Sequence, residues 1–190
     1  MLNVKKIKIK KKLADEIEKL LISNNFDWYY NPTTAHKNEK LPDTFQFTHK
    51  FYDELYNSAS FYYQNVLELF HATGIKYEKF LRIKSNFTVP SLKLGTKHQH
   101  IHRDMEEENV STFLYYVNDS DGDTIFYDDN KKGIKSDKKG EYIPPVNMKE
   151  IKRFKPKKGT GLVFKSNILH AGSNPVNYDK RIVINFNFYE

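Results

Sequence analysis

Cysteine is absent from all 190 residues. That excludes a disulfide framework and any zinc site built on thiolates. No apolar run is long enough to span a membrane. The opening stretch MLNVKKIKIKKK is too charged to contain the apolar core of a signal peptide. Internal repeats and long disordered tracts are missing as well. These absences lead to the expectation of a soluble, cytoplasmic protein with no membrane partner. The length suits a single domain over 1–190 with a real core. What is present is a formal charge of +7 and an aromatic content of 13 Tyr and 14 Phe. Positive charge of this size suits acidic partners, nucleic acid included, and equally suits a lysine-rich surface that keeps the chain soluble. The aromatic residues suit a β-rich core with aromatic strand pairs.

Helical patterning is confined to the front of the chain. Leu13, Ile17, Leu20 and Leu21 recur at helical spacing and predict a helix over 13–25. A second apolar stripe, from Leu55 through Ala59, Tyr62, Val66 and Phe70, predicts a helix over 54–74 that ends at Gly74. Ahead of them, the Ile7-Lys8-Ile9 alternation reads as a short edge strand. Beyond residue 77 the texture is β. Strands are predicted over 80–87, 98–104, 110–118, 123–128, 151–154, 161–164 and 181–189. The turn Asp119-Ser120-Asp121-Gly122 makes 110–118 and 123–128 read as the two arms of a hairpin. Residues 129–158 carry eleven Lys or Arg against four Asp or Glu and read as a lysine-rich loop. The expected fold class is mainly β. A double-stranded β-helix, or jelly roll, over 76–190 would be backed on one sheet by N-terminal helices within 1–75.

The chemistry-bearing residues fall in that β half. In an extended strand, residues i and i+2 share a face, so His102 and Asp104 reach one metal ion from one strand. His170 completes the set from a neighbouring strand. Two histidines and one carboxylate on one face of an octahedron leave three positions open, which is the facial arrangement of non-haem Fe(II) oxygenases. Oxygen chemistry uses those positions for O2 and for a chelating co-substrate. Arg181, eleven residues past His170, is placed to receive the far end of a dicarboxylate. On the last strand Val183, Asn185 and Asn187 share a face with Arg181. Two asparagines inside a barrel either line a polar site or pair with each other in the core.

The stretches His102-Arg103-Asp104, TFLYYVNDSDGDTIFY (112–127), GTGLVFKSNILHAGSNP (159–175) and RIVINFNF (181–188) resemble the Fe(II)- and 2-oxoglutarate-dependent dioxygenases, closest to the prolyl-4-hydroxylase-like branch. Short, lysine-rich, cysteine-free versions are similar to ones encoded by bacteriophages, which would place the chain in a host cytoplasm. The resemblance implies a double-stranded β-helix. It implies that His102, Asp104 and His170 bind Fe(II), and that Arg181 pairs with the distal carboxylate of 2-oxoglutarate. Tyr116 matches a tyrosine that reaches the same carboxylate, with Tyr115 the choice if the register slips by one. Asn86 or Lys84 on the preceding strand would help hold the co-substrate, and Asn185 would line the site. The implied reaction hydroxylates a C–H bond and converts 2-oxoglutarate and O2 to succinate and CO2, with ascorbate as an optional reductant. The substrate stays open among a protein side chain such as proline, a nucleotide or nucleic acid, and a small molecule.

A competing ligand set is His100, His102, Glu106 and His170. HIHRDME followed by HAGSN is somewhat similar to the two cupin motifs, though the glycine spacing departs and Arg181 has no use in a cupin. That reading implies a metal-binding or non-catalytic jelly-roll module. The expectation that keeps the triad puts His98 and His100 at the rim of the barrel. The sequence sets no oligomeric state.

Overall fold

The structure is a computed structural model that describes residues 2–33, 45–91, 98–129 and 148–190, with the backbone of two further short strands. Among the described residues, thirteen strands and two helices run in the order β1 (Lys5–Lys8), α1 (Lys11–Leu21), β2 (Tyr29–Asn31), β3 (Gln46–Asp53), β4 (Ser58–Ala59), α2 (Tyr63–His71), β5 (Phe80–Thr88), β6 (Val110–Tyr116), β7 (Thr124–Tyr127), β8 (Lys135–Ser136), β9 (Tyr142–Ile143), β10 (Glu150–Phe154), β11 (Thr160–Lys165), β12 (His170–Gly172) and β13 (Arg181–Tyr189). The large sheet has the order β1-β11-β6-β13-β5-β3-β2, with β4 attached to β3. A small sheet of order β10-β7-β12 faces it. Every strand pairing is antiparallel.

The central strand β13 shows why the large sheet has two different faces. Its sequence RIVINFNFY alternates strictly, and all but the last residue are buried. Ile182, Ile184, Phe186 and Phe188 join Phe113, Tyr115, Val117, Phe80 and Ile83 in one apolar layer. Ile17 and Leu21 of α1, with Val66, Leu69 and Phe70 of α2, close that layer from outside. Phe70 packs within 5.3 Å of Phe186 and 5.0 Å of Phe188. The helices therefore cover one face of the large sheet, as their apolar stripes predict. The other face turns towards the small sheet. Between the two sheets lie Leu114, Tyr116, Phe126, Leu162, Phe164 and Val183, which form the barrel interior.

Four local expectations need correction. The helix predicted over 54–74 begins only at Tyr63. Asn57 adopts a positive φ of 44°, a conformation that interrupts a helix. Leu55, counted as the start of the apolar stripe, is exposed. The helix predicted over 13–25 stops at Leu21, where the Trp28 indole donates to the Leu21 carbonyl at 3.0 Å. The segment 98–104 is no continuous strand. It meets the small sheet at two isolated bridges, His98 with Ser173 and His102 with His170. The supposed hairpin of 110–118 and 123–128 does not form, because β6 belongs to the large sheet and β7 to the small one. The turn between them carries the chain across the barrel, the connection a jelly roll requires. The first 75 residues also add β1 to β4 to the large sheet. Much of the stretch 129–158, read as a lysine-rich loop, lies outside the described residues.

Candidate metal and co-substrate site

His102 and His170 face each other across the bridge that ties segment 98–104 to β12. Each backbone N–H donates to the other's carbonyl, at 2.9 and 3.0 Å. Directly opposed residues of this kind hold their side chains on one face, and the two rings lie 4.7 Å apart. The Nδ1 atom of His102 donates to the His100 carbonyl at 2.9 Å, and that of His170 to the Ile168 carbonyl at 2.9 Å. Both bonds select the tautomer that leaves Nε2 as a free donor pair. Asp104 is brought alongside by its N–H, which donates to the Ser166 carbonyl at 3.0 Å. Its carboxylate lies 3.9 Å from His102 Nε2 and 3.7 Å from His170 Nε2. Ligand atoms of the three residues fall within 4.8 Å of one another, and they form the one His/Asp/Glu group among the described residues with that geometry.

The surroundings fix this carboxylate and keep it charged. Asn185 Nδ2 donates to Asp104 Oδ1 at 2.9 Å, and the Thr112 hydroxyl donates to Oδ2 at 2.9 Å. Thr112 has then used its only proton, so Ser166 donates to it at 2.8 Å and Asn187 Nδ2 at 3.0 Å. Arg82 in turn donates to Asn187 Oδ1 from Nε at 3.2 Å and from a terminal nitrogen at 2.9 Å. Burial pushes the Asp104 carboxyl upward. The attraction of His170, His102 and Arg82, with the Asn185 hydrogen bond, outweighs it and holds the group at about 2. Burial, then the neighbouring His170, hold the His102 imidazole down at about 4. The His102 imidazole is thus neutral and the Asp104 carboxylate ionised at neutral pH, and with His170 they make the two-histidine, one-carboxylate donor set that suits Fe(II).

Arg181 opens β13 on the same face, four residues before Asn185. Its side chain is buried, with Nε donating to the Gly122 carbonyl at 2.6 Å and a terminal nitrogen to Thr124 Oγ1 at 3.0 Å. Among the described residues no carboxylate lies within ion-pair distance of it. Burial pulls its pKa down, against the raising influence of Tyr116 and Asp123, yet a guanidinium stays charged. Two glycines make room for it. A Cβ on Gly122 would sit 2.7 Å from Arg181 Cδ and 2.6 Å from the Ser173 carbonyl, and one on Gly172 would press on the guanidinium at 3.3 Å. The Tyr116 hydroxyl donates to the same Thr124 oxygen at 2.9 Å. Burial pushes that phenol up to about 12, opposed by the Thr124 bond and by Arg181.

The remaining sequence expectations divide cleanly. Tyr115 points into the helix-backed layer, its hydroxyl buried without a partner, so Tyr116 is the tyrosine on the Arg181 face. Asn86 stands opposite Val183 and Lys84 opposite Asn185, both on the barrel-interior face of β5. His100 is buried at 5% exposure rather than placed at the rim. The cupin-type set does not assemble, because the Glu106 side chain is 65% exposed and held by Arg103 at 2.8 Å. Sequence reasoning missed Thr112, Ser166, Arg82, Thr124 and Gly122. A threonine at an inward position of the apolar strand VSTFLYY was the available signal for Thr112.

A family profile described as "2OG-Fe(II) oxygenase superfamily" matches residues 90–189, more than half of the chain. The chain belongs to the 2OG-Fe(II) oxygenase superfamily. This oxygenase is accordingly an enzyme, with iron and 2-oxoglutarate as its cofactor and co-substrate. None of the curated proteins matches it. Solved structures share its double-stranded β-helix. The epimerase SnoN from nogalamycin biosynthesis, in complex with Fe3+, alpha ketoglutarate and nogalamycin RO, matches at 9% identity and a TM-score of 0.62, over 100% of this chain and 79% of that one. HygX from Streptomyces hygroscopicus, with nickel and 2-oxoglutarate bound, matches at 10% identity and 0.59, over 99% and 83%. A prolyl-4-hydroxylase from Pseudomonas putida matches at 11% identity and 0.54, over 100% and 94%. No helix among the described residues is long and apolar enough to cross a membrane.

Proposed function

We propose that this oxygenase hydroxylates an aliphatic C–H bond, in the manner of the prolyl 4-hydroxylases, with His102, Asp104 and His170 as iron ligands and Arg181 as the anchor of 2-oxoglutarate. The observation that carries this reading is the buried Arg181 guanidinium, which has no carboxylate partner among the described residues and lies on the face of β13 that also carries Asn185, the residue that holds Asp104. A buried charge without a counter-charge is costly unless a ligand supplies one. Along β13 the step from Arg181 to Asn185 is about 13 Å at the usual strand rise. The reach of the arginine and a five-carbon dicarboxylate fill that span.

Each residue then has a task. Arg181 receives the distal carboxylate with its planar fork, and Tyr116 adds a hydroxyl to it. Thr124 and the Gly122 carbonyl hold the fork still. His102 and His170 offer Nε2 because their Nδ1 protons are committed to carbonyls. Asn185 and Thr112 hold the two oxygens of Asp104 in place. Iron, when bound, supplies oxygen activation coupled to decarboxylation of 2-oxoglutarate to succinate and CO2. Leu114, Leu162, Phe164 and Val183 keep bulk water from the interior. Neighbours in the fold act on different kinds of molecule: HygX was solved with hygromycin B, and a prolyl hydroxylase from Trichoplax adhaerens with a peptide fragment.

The test is anaerobic addition of Fe(II) and 2-oxoglutarate while recording the visible charge-transfer band of the chelate. The wild type is expected to give the band, Arg181→Ala a band that needs far more 2-oxoglutarate, and His170→Ala none. A folded wild type without the band would sink the assignment.

A further inference from the structure

The interior face of the sheet carries one cation that neither the triad nor Arg181 accounts for. Lys84 lies on β5 directly opposite Asn185, the residue that holds Asp104. Its neighbour across the other edge of β5 is Lys50. The cations around it are answered. Lys50 pairs with Asp53 at 2.6 Å, and Arg82 is held by Asn187 and lies 3.8 Å from Asp104. Lys84 is half-buried and makes no hydrogen bond or ion pair among the described residues. A divalent metal and a dianionic co-substrate would cancel each other, so loading the site leaves this charge unanswered.

Two orphaned acceptors stand beside it. The side-chain oxygens of Asn86 and Asn185 are buried with no hydrogen-bond partner among the described residues. Unsatisfied polar atoms of this kind mark space that a polar ligand or water fills. The position of Lys84 separates it from the co-substrate's path. It stands level with the metal ligand Asp104, not between the metal and Arg181. Lys50, 44% exposed, continues the basic row outward to solvent. Burial first, then the positive charges of Arg82 and Lys50, hold the Lys84 amine down at about 8, with Asp104 acting in the other direction.

We infer that Lys84 is the anion-recognition group for the primary substrate, which therefore carries a carboxylate or a phosphate close to the bond that reacts. This rests on the hydroxylase reading above. The single ammonium point charge of Lys84 suits one terminal anionic group, while the orphaned oxygens of Asn86 and Asn185 would accept from hydroxyl or N–H groups of the same ligand. Lys84 is thus a specificity-determining residue.

The test uses zinc in place of iron, which binds without turnover and leaves the protein diamagnetic. The zinc protein is saturated with 2-oxoglutarate and titrated with propionate, with inorganic phosphate and with propionamide, following the side-chain amide signals of Asn86 and Asn185 by NMR. Saturable shifts are expected with at least one anion and none with propionamide, and the tighter anion identifies the head group. Lys84→Gln is expected to weaken the anion at least tenfold with 2-oxoglutarate affinity unchanged, and Lys84→Arg to retain it. The inference is overturned if neither anion shifts these signals, or if Lys84→Gln binds the anion as well as wild type. It is also overturned if Lys84→Gln loses 2-oxoglutarate, since Lys84 would then belong to the co-substrate. Should the wild-type zinc protein fail to bind 2-oxoglutarate, the hydroxylase reading falls, and the same anion titrations without it still decide what Lys84 does.

Discussion

One strand, β13, presents two opposite chemistries. Its outward-facing side chains toward the helices are Ile182, Ile184, Phe186 and Phe188; its inward ones are Arg181, Val183, Asn185 and Asn187. Both sets are buried. The first can be explained by packing alone, since apolar area removed from water stabilises the sheet against α1 and α2. The second cannot. Burying a guanidinium and two amides costs free energy unless each finds a partner, and here the partners are Asp104, Thr112, Arg82 and the Gly122 carbonyl. Stability and chemistry are separated by the pleat of a single strand, so substitutions on the two faces should fail in different ways.

The sharpest contrast pairs Phe186→Ala with His170→Ala. Truncating Phe186, fully buried among Phe70, Phe80 and Phe113, should cost about 3–5 kcal/mol of stability in chemical denaturation. The chelate band per folded molecule should survive. His170→Ala should do the reverse, abolishing the band with a far smaller effect on the denaturation midpoint. Equal losses of both properties in both variants would break the two-face division. Next in size is Thr112→Val, which removes the hydroxyl on Asp104 Oδ2 and leaves Ser166 and Asn187 without their shared acceptor. Fe(II) affinity measured by titration should fall about tenfold or more.

The two tyrosines of β6 repeat the comparison at one hydroxyl. Tyr116→Phe should raise the 2-oxoglutarate concentration needed for half-saturation severalfold, about the worth of one hydrogen bond of roughly 1 kcal/mol. Tyr115→Phe should leave it unchanged and leave stability equal or slightly higher, because its buried hydroxyl has no partner to lose. A further prediction is a pH dependence at Lys84. Its amine is charged below about 8 and neutral above, so propionate affinity should be constant below that pH and fall as pH rises through it, approaching about tenfold per unit. An affinity flat to pH 10 would argue that Lys84 is not the group that binds the anion.

Much of the site was legible because its signals are short-range in sequence or set by strand periodicity. His102 and Asp104 are two residues apart, and Arg181, Asn185 and Asn187 share a parity on one strand, so their common face follows from the pleat. Tyr115 against Tyr116 was not legible. A one-residue slip exchanges the faces, and only the packing of Tyr115 against the helix layer decides which way β6 lies. The failed hairpin has a related cause. Turn residues Asp119 to Gly122 announce a reversal, yet nothing local says whether the returning strand pairs with β6 or crosses to β12 and β10. The overlong helix at 54–74 arose because an apolar stripe was counted without the backbone break at Asn57.

The sequence by itself determined the jelly-roll pattern, the residue types of the candidate metal triad and the arginine proposed to anchor 2-oxoglutarate. These depend on alternation, turn chemistry and the ligand preferences of an ion, all of which act within a few bonds. Tertiary structure alone decided which sheet each strand joins and that Glu106 faces solvent. It alone linked Arg82, Asn187 and Thr112 to Asp104, and left Lys84, like Arg181, without an answering carboxylate among the described residues. Those outcomes depend on contacts between residues far apart in the chain, such as Arg82 with Asn187, 105 positions on. Their energies come from burial and mutual solvation, which no single stretch of chain contains.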